Sequence, residues 1–307
     1  MSSHQDALPY EPFEQPPPAP ARMAETRPLY WSIRRELWEN RSLYLAPLIV
    51  AAIVLFASAV NTLALPRKMR SATASEIAAA VMPHHMAPAP IMLATLLIGF
   101  FYCLEALHGE RRDRSILFWK SLPVSDRMTV LSKASIPVVV LPLIAFALSV
   151  ITQVVLLQLG TMLLLGRGMS PAPLWSELRF FEGLPIMLYG LTVHALWFAP
   201  IYGWLLLVSA WARRVPLLWA VLPLLAVSVV ERILFNSTRF LAMLGYRFTG
   251  AMKEGFVFEP GKGGNVGRLS QLDPVGFLSA PGLWLGLLVA VACLAVAVRL
   301  RRNREPI

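Results

Sequence analysis

Charge is scarce in this chain: only 15% of its 307 residues are Asp, Glu, Lys or Arg, while 56% are apolar. Soluble proteins carry about 25% charge, and a mean hydropathy of +0.59 excludes a water-soluble fold. Cysteine is reduced to two, Cys103 and Cys293, both within apolar runs, which excludes a disulfide framework or CxxC metal site. Ionisable groups are nearly missing from the middle of those runs. Glu105 lies close to the end of one and within reach of the arginines that follow it, and Glu231 and Arg232 lie close to the end of another. Of five histidines only His194 is deep within an apolar run, and it reads as a hydrogen-bonded packing residue. Ion-coupled carriers and intramembrane enzymes hold ionisable groups at that depth, so both classes are disfavoured. HExxH, GxSxG and paired aspartates on one helix face are absent. Gly261-Lys262-Gly263-Gly264 lacks the spacing of a phosphate loop and the hydroxyl after lysine, and reads as a turn. The chain itself therefore reads as no enzyme, with no cofactor of its own.

What remains is apolar length. Six segments suffice to cross about 30 Å of hydrocarbon at about 1.5 Å per residue: Leu43 to Leu63, Ile91 to Leu107, Ile136 to Leu165, Leu184 to Trp211, Val215 to Leu234 and Leu283 to Leu300. Backbone groups in lipid must pair within a helix or a closed barrel, and the short alternating runs of a barrel are missing. The expected fold is all-α and integral to the membrane. Pro137 and Pro142 predict a tilt or kink at the start of the third span. An even number of spans puts both termini on one side. With the termini inside, seventeen basic residues face the cytoplasm and eleven face outward, so both termini are expected to be cytoplasmic. The net charge of +10 then suits anionic headgroups, and no nucleic-acid partner is expected.

Residues 1–28 are rich in proline, lack the pattern of a cleavable signal and read as a solvated cytoplasmic tail. Over residues 29–42, Tyr30, Ile33 and Leu37 recur at helical spacing beside Trp31 and Trp38, with Arg34, Arg35 and Glu36 on the other arc. This predicts a helix lying in the membrane interface. Met82, His84, His85 and Met86 are soft and borderline ligands in a loop rich in Ala and Pro, poorly preorganised for a metal. Gly282 and Gly286 have the spacing that admits a close helix neighbour. The connection 235–281 carries Phe240, Tyr246, Phe248, Phe256 and Phe258, which read as either a lid or a surface-packed loop.

The connection 109–133 is too apolar in its middle to be a solvated linker. A short helix from Glu110 to Ser121, ended by Pro123, would set Arg111, Arg114 and Phe118 on one arc, with Ser125 capping the next helix. Exposed aromatics beside guanidinium groups suit protein docking.

At Glu110-Arg111-Arg112-Asp113-Arg114-Ser115, Phe118-Trp119-Lys120-Ser121-Leu122-Pro123-Val124-Ser125-Asp126 and Thr129 to Lys133 the chain resembles bacterial ABC exporter permeases of the type-2 membrane family. Trp31 to Glu39 and the ending from Trp284 to Arg304, with its arginine cluster, support the likeness. The resemblance implies a half-transporter in the bacterial inner membrane. Residues 43–300 would form a six-span permease domain, 301–307 a basic cytoplasmic tail, and Trp31, Arg34, Arg35 and Trp38 would belong to an elbow helix. Glu110, Arg111, Arg112, Arg114, Phe118, Trp119, Lys120, Ser121, Leu122 and Pro123 would form a coupling helix seated in an ABC ATP-binding subunit. Two copies of that subunit would hold ATP and Mg, and a second permease subunit, identical or paralogous, would complete the pathway. A membrane anchor or sensor that docks a cytoplasmic partner is the alternative function.

Overall fold

A computed structural model describes residues 26–70, 73–116, 118, 124–258 and 267–303. The proline-rich tail, Trp119 to Pro123, the Gly261–Gly264 turn and the last four residues lie outside the described residues. Regular structure among those described is helical, apart from an isolated antiparallel bridge between Phe256 and Leu272.

The order is α1 (Thr26–Glu39), α2 (Ser42–Leu63), α3 (Leu65–Met69), α4 (Ala74–Met86), α5 (Pro88–Glu105), α6 (His108–Arg112), α7 (Asp126–Ser135) and, after a π-helical segment at Ile136–Val140, α8 (Leu141–Leu165). Then follow α9 (Ala172–Leu178), α10 (Phe180–Trp211), α11 (Pro216–Phe235), α12 (Arg239–Gly255), α13 (Pro274–Ser279) and α14 (Pro281–Asn303). Pro88, Pro216 and Pro281 open their helices, where a missing N–H is no loss. Ser125 caps α7 by accepting from the Met128 N–H at 3.2 Å.

Among the described residues, six helical stretches are long and apolar enough to cross a membrane: Ser42–Leu63, Ser75–Arg112, Asp126–Leu165, Ala172–Trp211, Pro216–Phe235 and Pro281–Asn303. Five contain a whole apolar segment read from the sequence and the other, Pro216–Phe235, takes in all of its segment but Val215, and the chain has the fold of a multi-pass membrane protein.

The prolines of the third span act through their missing N–H groups. Pro137 and Pro142 cannot donate to the preceding turn, and the ladder widens so that the Leu141 N–H bonds the Ile136 carbonyl. α5 approaches this π segment at Gly99, where a Cβ would stand 3.4 Å from Pro137 Cβ and 3.2 Å from Leu141 Cδ1 at the start of α8. α10 is the spine: it packs most extensively on α14 and also against α5, α8 and α12. At its crossing with α14, a Cβ on Gly203 would lie 3.2 Å from both Cα and O of Ala290.

The segment read as a loop after the fifth span contains the helix α12 over Arg239–Gly255. The Glu231 carboxylate accepts from the Arg239 and Phe240 N–H groups at 2.9 Å each and from the Ser237 hydroxyl, which fixes the turn into it. Its aromatics turn onto α10: Tyr246 meets Trp197 and Phe248 meets Phe198 edge to face, while Phe256, just beyond the helix, meets Tyr189. Arg247 lies over the Trp197 ring at 4.6 Å and donates to Gly282 O of α14 at 2.8 Å. Gly286, one turn along, leaves the room its guanidinium occupies. The Met82–Met86 group lies on helix α4 rather than in a loop. His84 turns inward to Thr62 Oγ1 at 3.0 Å, and Met82, His85 and Met86 face outward.

Gly203→Val is expected to destabilise the protein by about 1–3 kcal/mol through overpacking against Ala290, read as a lowered thermal midpoint in detergent. An unchanged midpoint would show that α10 and α14 are free to separate at this crossing.

Candidate functional site

One end of the bundle gathers α1, the connection between the second and third spans, the turn after α10 and the end of α14. Each brings charge to the edge of an apolar interior, where an unpaired ion is costly. Glu36 of α1 is fully buried and its neighbour Ser32 nearly so. Its carboxylate accepts from the Tyr102 hydroxyl at 2.8 Å, from Lys133 Nζ at 2.8 and 3.0 Å, and from Arg35 Nη2 at 2.8 Å. Burial alone would push the Glu36 carboxyl up, but Lys133 and Arg35 outweigh it and hold the group below the ordinary carboxylate range. Burial likewise opposes the charge on Arg35, and Glu36, Glu39 and Glu110 overcome it, so its pKa is raised.

Glu110 is the second anion. Lys133 Nζ stands 3.1 Å from its Oε1, an ion-pair contact rather than a directed hydrogen bond. Its Oε2 accepts from Arg301 Nη1. Arg301 Nε donates onward to Asp126 Oδ1 at 3.1 Å. Glu36, Glu110 and Asp126 thus pair with Arg35, Lys133 and Arg301, with Glu39 at the edge 3.7 Å from Arg35 Nε, and tie α1, α6, α7 and α14 into one unit.

A second set of bonds fixes the same connection to α10. Ser209 Oγ accepts from the Leu107 and His108 N–H groups at 3.0 and 2.9 Å. Arg111 Nη1 donates to Ala210 O at 2.8 Å and Ala212 O at 3.2 Å, satisfying carbonyls at the α10 C-terminus.

The residues named from the sequence divide into two groups. Glu110 and Arg111 are buried and hold the connection in place, so Arg111 does not share an outer arc with Arg114 and Phe118. The single helix expected from Glu110 to Ser121 is interrupted at Asp113–Arg114, with Arg114 at φ 58°. Arg112 is exposed and pairs with Glu105 at 2.8 Å. Phe118 is 60% exposed. Trp119, Lys120, Ser121, Leu122 and Pro123 lie outside the described residues. In α1, Trp31 and Trp38 are exposed, with the Arg34 guanidinium 5.3 and 5.1 Å from their ring centroids. Glu36, read as part of the polar arc, points inward because its cationic and phenolic partners wait there. Lys133, Arg301, Asp126, Tyr102 and Ser209 were not singled out as site residues. The signal was a charge just outside an apolar run on every element at this end.

Comparison with known protein families, with curated proteins and with solved structures finds no match.

Removing one member of the network strands its partner. Glu36→Leu is expected to cost about 3 kcal/mol or more, and Glu36→Leu combined with Lys133→Met to recover most of it, because the remaining charges again balance. Thermal unfolding of the three proteins checks this, and additive losses in the double variant would refute the coupling.

A depressed carboxyl pKa adds stability above the unfolded value of about 4.3. That contribution is lost as pH falls through the lower, folded value. Between pH 5 and pH 3, on the order of the carboxylate range, the wild-type thermal midpoint should therefore fall more steeply than that of Glu36→Gln. Parallel curves would sink the assignment of Glu36.

Proposed function

We propose that the chain is the membrane subunit of an ATP-driven ABC exporter in the bacterial inner membrane. In this reading two permease subunits frame a pathway, and two separate ATP-binding subunits, carrying ATP and Mg, grip each permease at the connection between spans two and three. The observation that carries the reading is mechanical. The connection leaves Phe118 exposed, yet buried ions and helix-end hydrogen bonds fasten its root to α1, α7, α10 and α14. A push on the projecting segment is thereby passed to the ends of several spans at once. Such transmission is what converts closure of a partner ATPase into alternating exposure of a pathway. Arg111 and Glu110 then act by holding the coupling segment, and Arg114, Phe118 and Trp119 by meeting the partner. α1, with Trp31, Arg34 and Trp38 outward, serves as the elbow helix at the cytoplasmic surface.

Two measurements test this. Asp113→Cys should react with a membrane-impermeant maleimide in inside-out vesicles and not in right-side-out ones; the opposite pattern places the connection on the wrong side. Tagged protein solubilised from native membranes should copurify an ABC ATP-binding subunit, identified by mass spectrometry. Phe118→Ala with Trp119→Ala should lower its recovery at least tenfold while insertion is unchanged. Full recovery with the double variant, or no such subunit with wild type, would overturn the proposal.

A further inference from the structure

Midway along α10 the packing opens into a cavity of about 470 Å³, within the range of small-molecule pockets, about 300–1,000 Å³. Met92 and Leu96 of α5, Pro137 of the π segment and Phe198 of α10 wall it, and Phe248 and Phe256 from the α12 region cover it. None of its lining residues is charged. Its polar groups are nearly all engaged. Thr95 donates back to its own helix at Ile91 O and Met92 O, and Tyr202 Oη is 3.1 Å from His194 Nε2. The exception is His194 Nδ1, which has no hydrogen-bond partner among the described residues, while its ring is stacked on Phe198 at 4.3 Å. At the rim, Leu93 and Met252 are 59% and 48% exposed on the outer surface of the bundle, so the cavity meets the membrane sideways.

These features select one class of occupant. A charged ligand would find no counter-ion at this depth. A bare hydrocarbon would leave His194 Nδ1 unsatisfied. A hydroxyl both donates and accepts, and so satisfies either tautomer of the imidazole.

We propose that this cavity binds a neutral, membrane-soluble amphiphile, a single apolar chain ending in a hydroxyl, with the hydroxyl on His194 Nδ1 and the chain against Phe198, Phe248 and Phe256. The site lies within one subunit and needs neither a partner ATPase nor the coupling role, so it stands or falls separately from them.

The test is photolabelling of the full-length protein in lipid nanodiscs with hexadecanol carrying a diazirine, alongside the matching fatty acid and alkane. The alcohol is expected to label residues of α5, α10 or α12 that line the cavity, to be displaced by unlabelled hexadecanol, and to exceed the acid at least tenfold. His194→Phe keeps the ring stack and should lower labelling by the alcohol about tenfold while leaving that by the alkane unchanged. Met252→Trp, at the exposed rim, should block both. Should His194→Phe misfold, Gly190→Leu fills the cavity from a position where a Cβ meets only Phe256 Cζ at 3.5 Å, and it should abolish specific labelling. Equal labelling by alcohol and acid, label outside the cavity, or an unaffected folded His194→Phe protein would overturn the assignment.

Discussion

Ions at the edge of an apolar bundle must find one another. Glu36, Glu110 and Asp126 cannot be left facing hydrocarbon, and Arg35, Lys133 and Arg301 cannot be withdrawn from water alone. The arrangement that pairs all six brings α1, α6, α7 and α14 to one place. That requirement acts as a register device. Apolar helices slide past one another at little cost because every face is greasy, whereas a lysine that must reach two particular carboxylates fixes both height and rotation. The same residues that decide how the spans end therefore decide where the connection between the second and third spans stands.

In the far half of the molecule, α12 is held to α10 and α14 by shape and by Arg247. Trp197 is fully buried, and Gly250 and Gly282 make room for its ring beside Tyr246. Its indole N–H donates to Arg247 O at 2.9 Å, and the Arg247 side chain returns across the ring to α14. Burial lowers the Arg247 pKa without removing its charge, and the carbonyls and ring face around it replace the water it gives up. α12 is thus a roof clasped to the spine rather than a loose flap.

Much of this was legible in the sequence. Length and hydropathy gave the six crossings, the two prolines of the third span marked its irregular stretch, and Ser125 announced a cap. A pairing of Glu105 with an arginine that follows it and a hydrogen-bonded place for His194 were also read from their positions in the chain. The long-range ion network did not. Glu36 lies 97 residues from Lys133, and Glu110 lies 191 from Arg301, and a helical wheel assigns a charge to solvent unless its distant partner is known. The break at Arg114 was hidden for a related reason: the left-handed region favours glycine or asparagine, so an arginine gives no local sign of it, whereas the tertiary hold on Glu110 and Arg111 lies just before it. α12 contains Gly245, Gly250 and Gly255, residues that disfavour a helix interior. Two of those glycines are spaces for Trp197 and Val193 rather than turns.

α11 stands apart from the other spans. Only 6% of its most apolar stretch is covered by the rest of the chain, and it is joined at both ends by left-handed residues, Val215 at φ 47° and Asn236 at φ 47°. Near its start it is tied to α10 by the Trp204 indole bond to Ala220 O at 3.1 Å and by the edge-on pair Trp211 and Trp219. With the Glu231 carboxylate fixing its other end to the start of α12, α11 is a span held at its two ends and little covered between them, so a mismatch with bilayer thickness is felt along it as tilt. The other spans are covered over 22% to 56% of their own most apolar stretches, so such strain falls on α11 first.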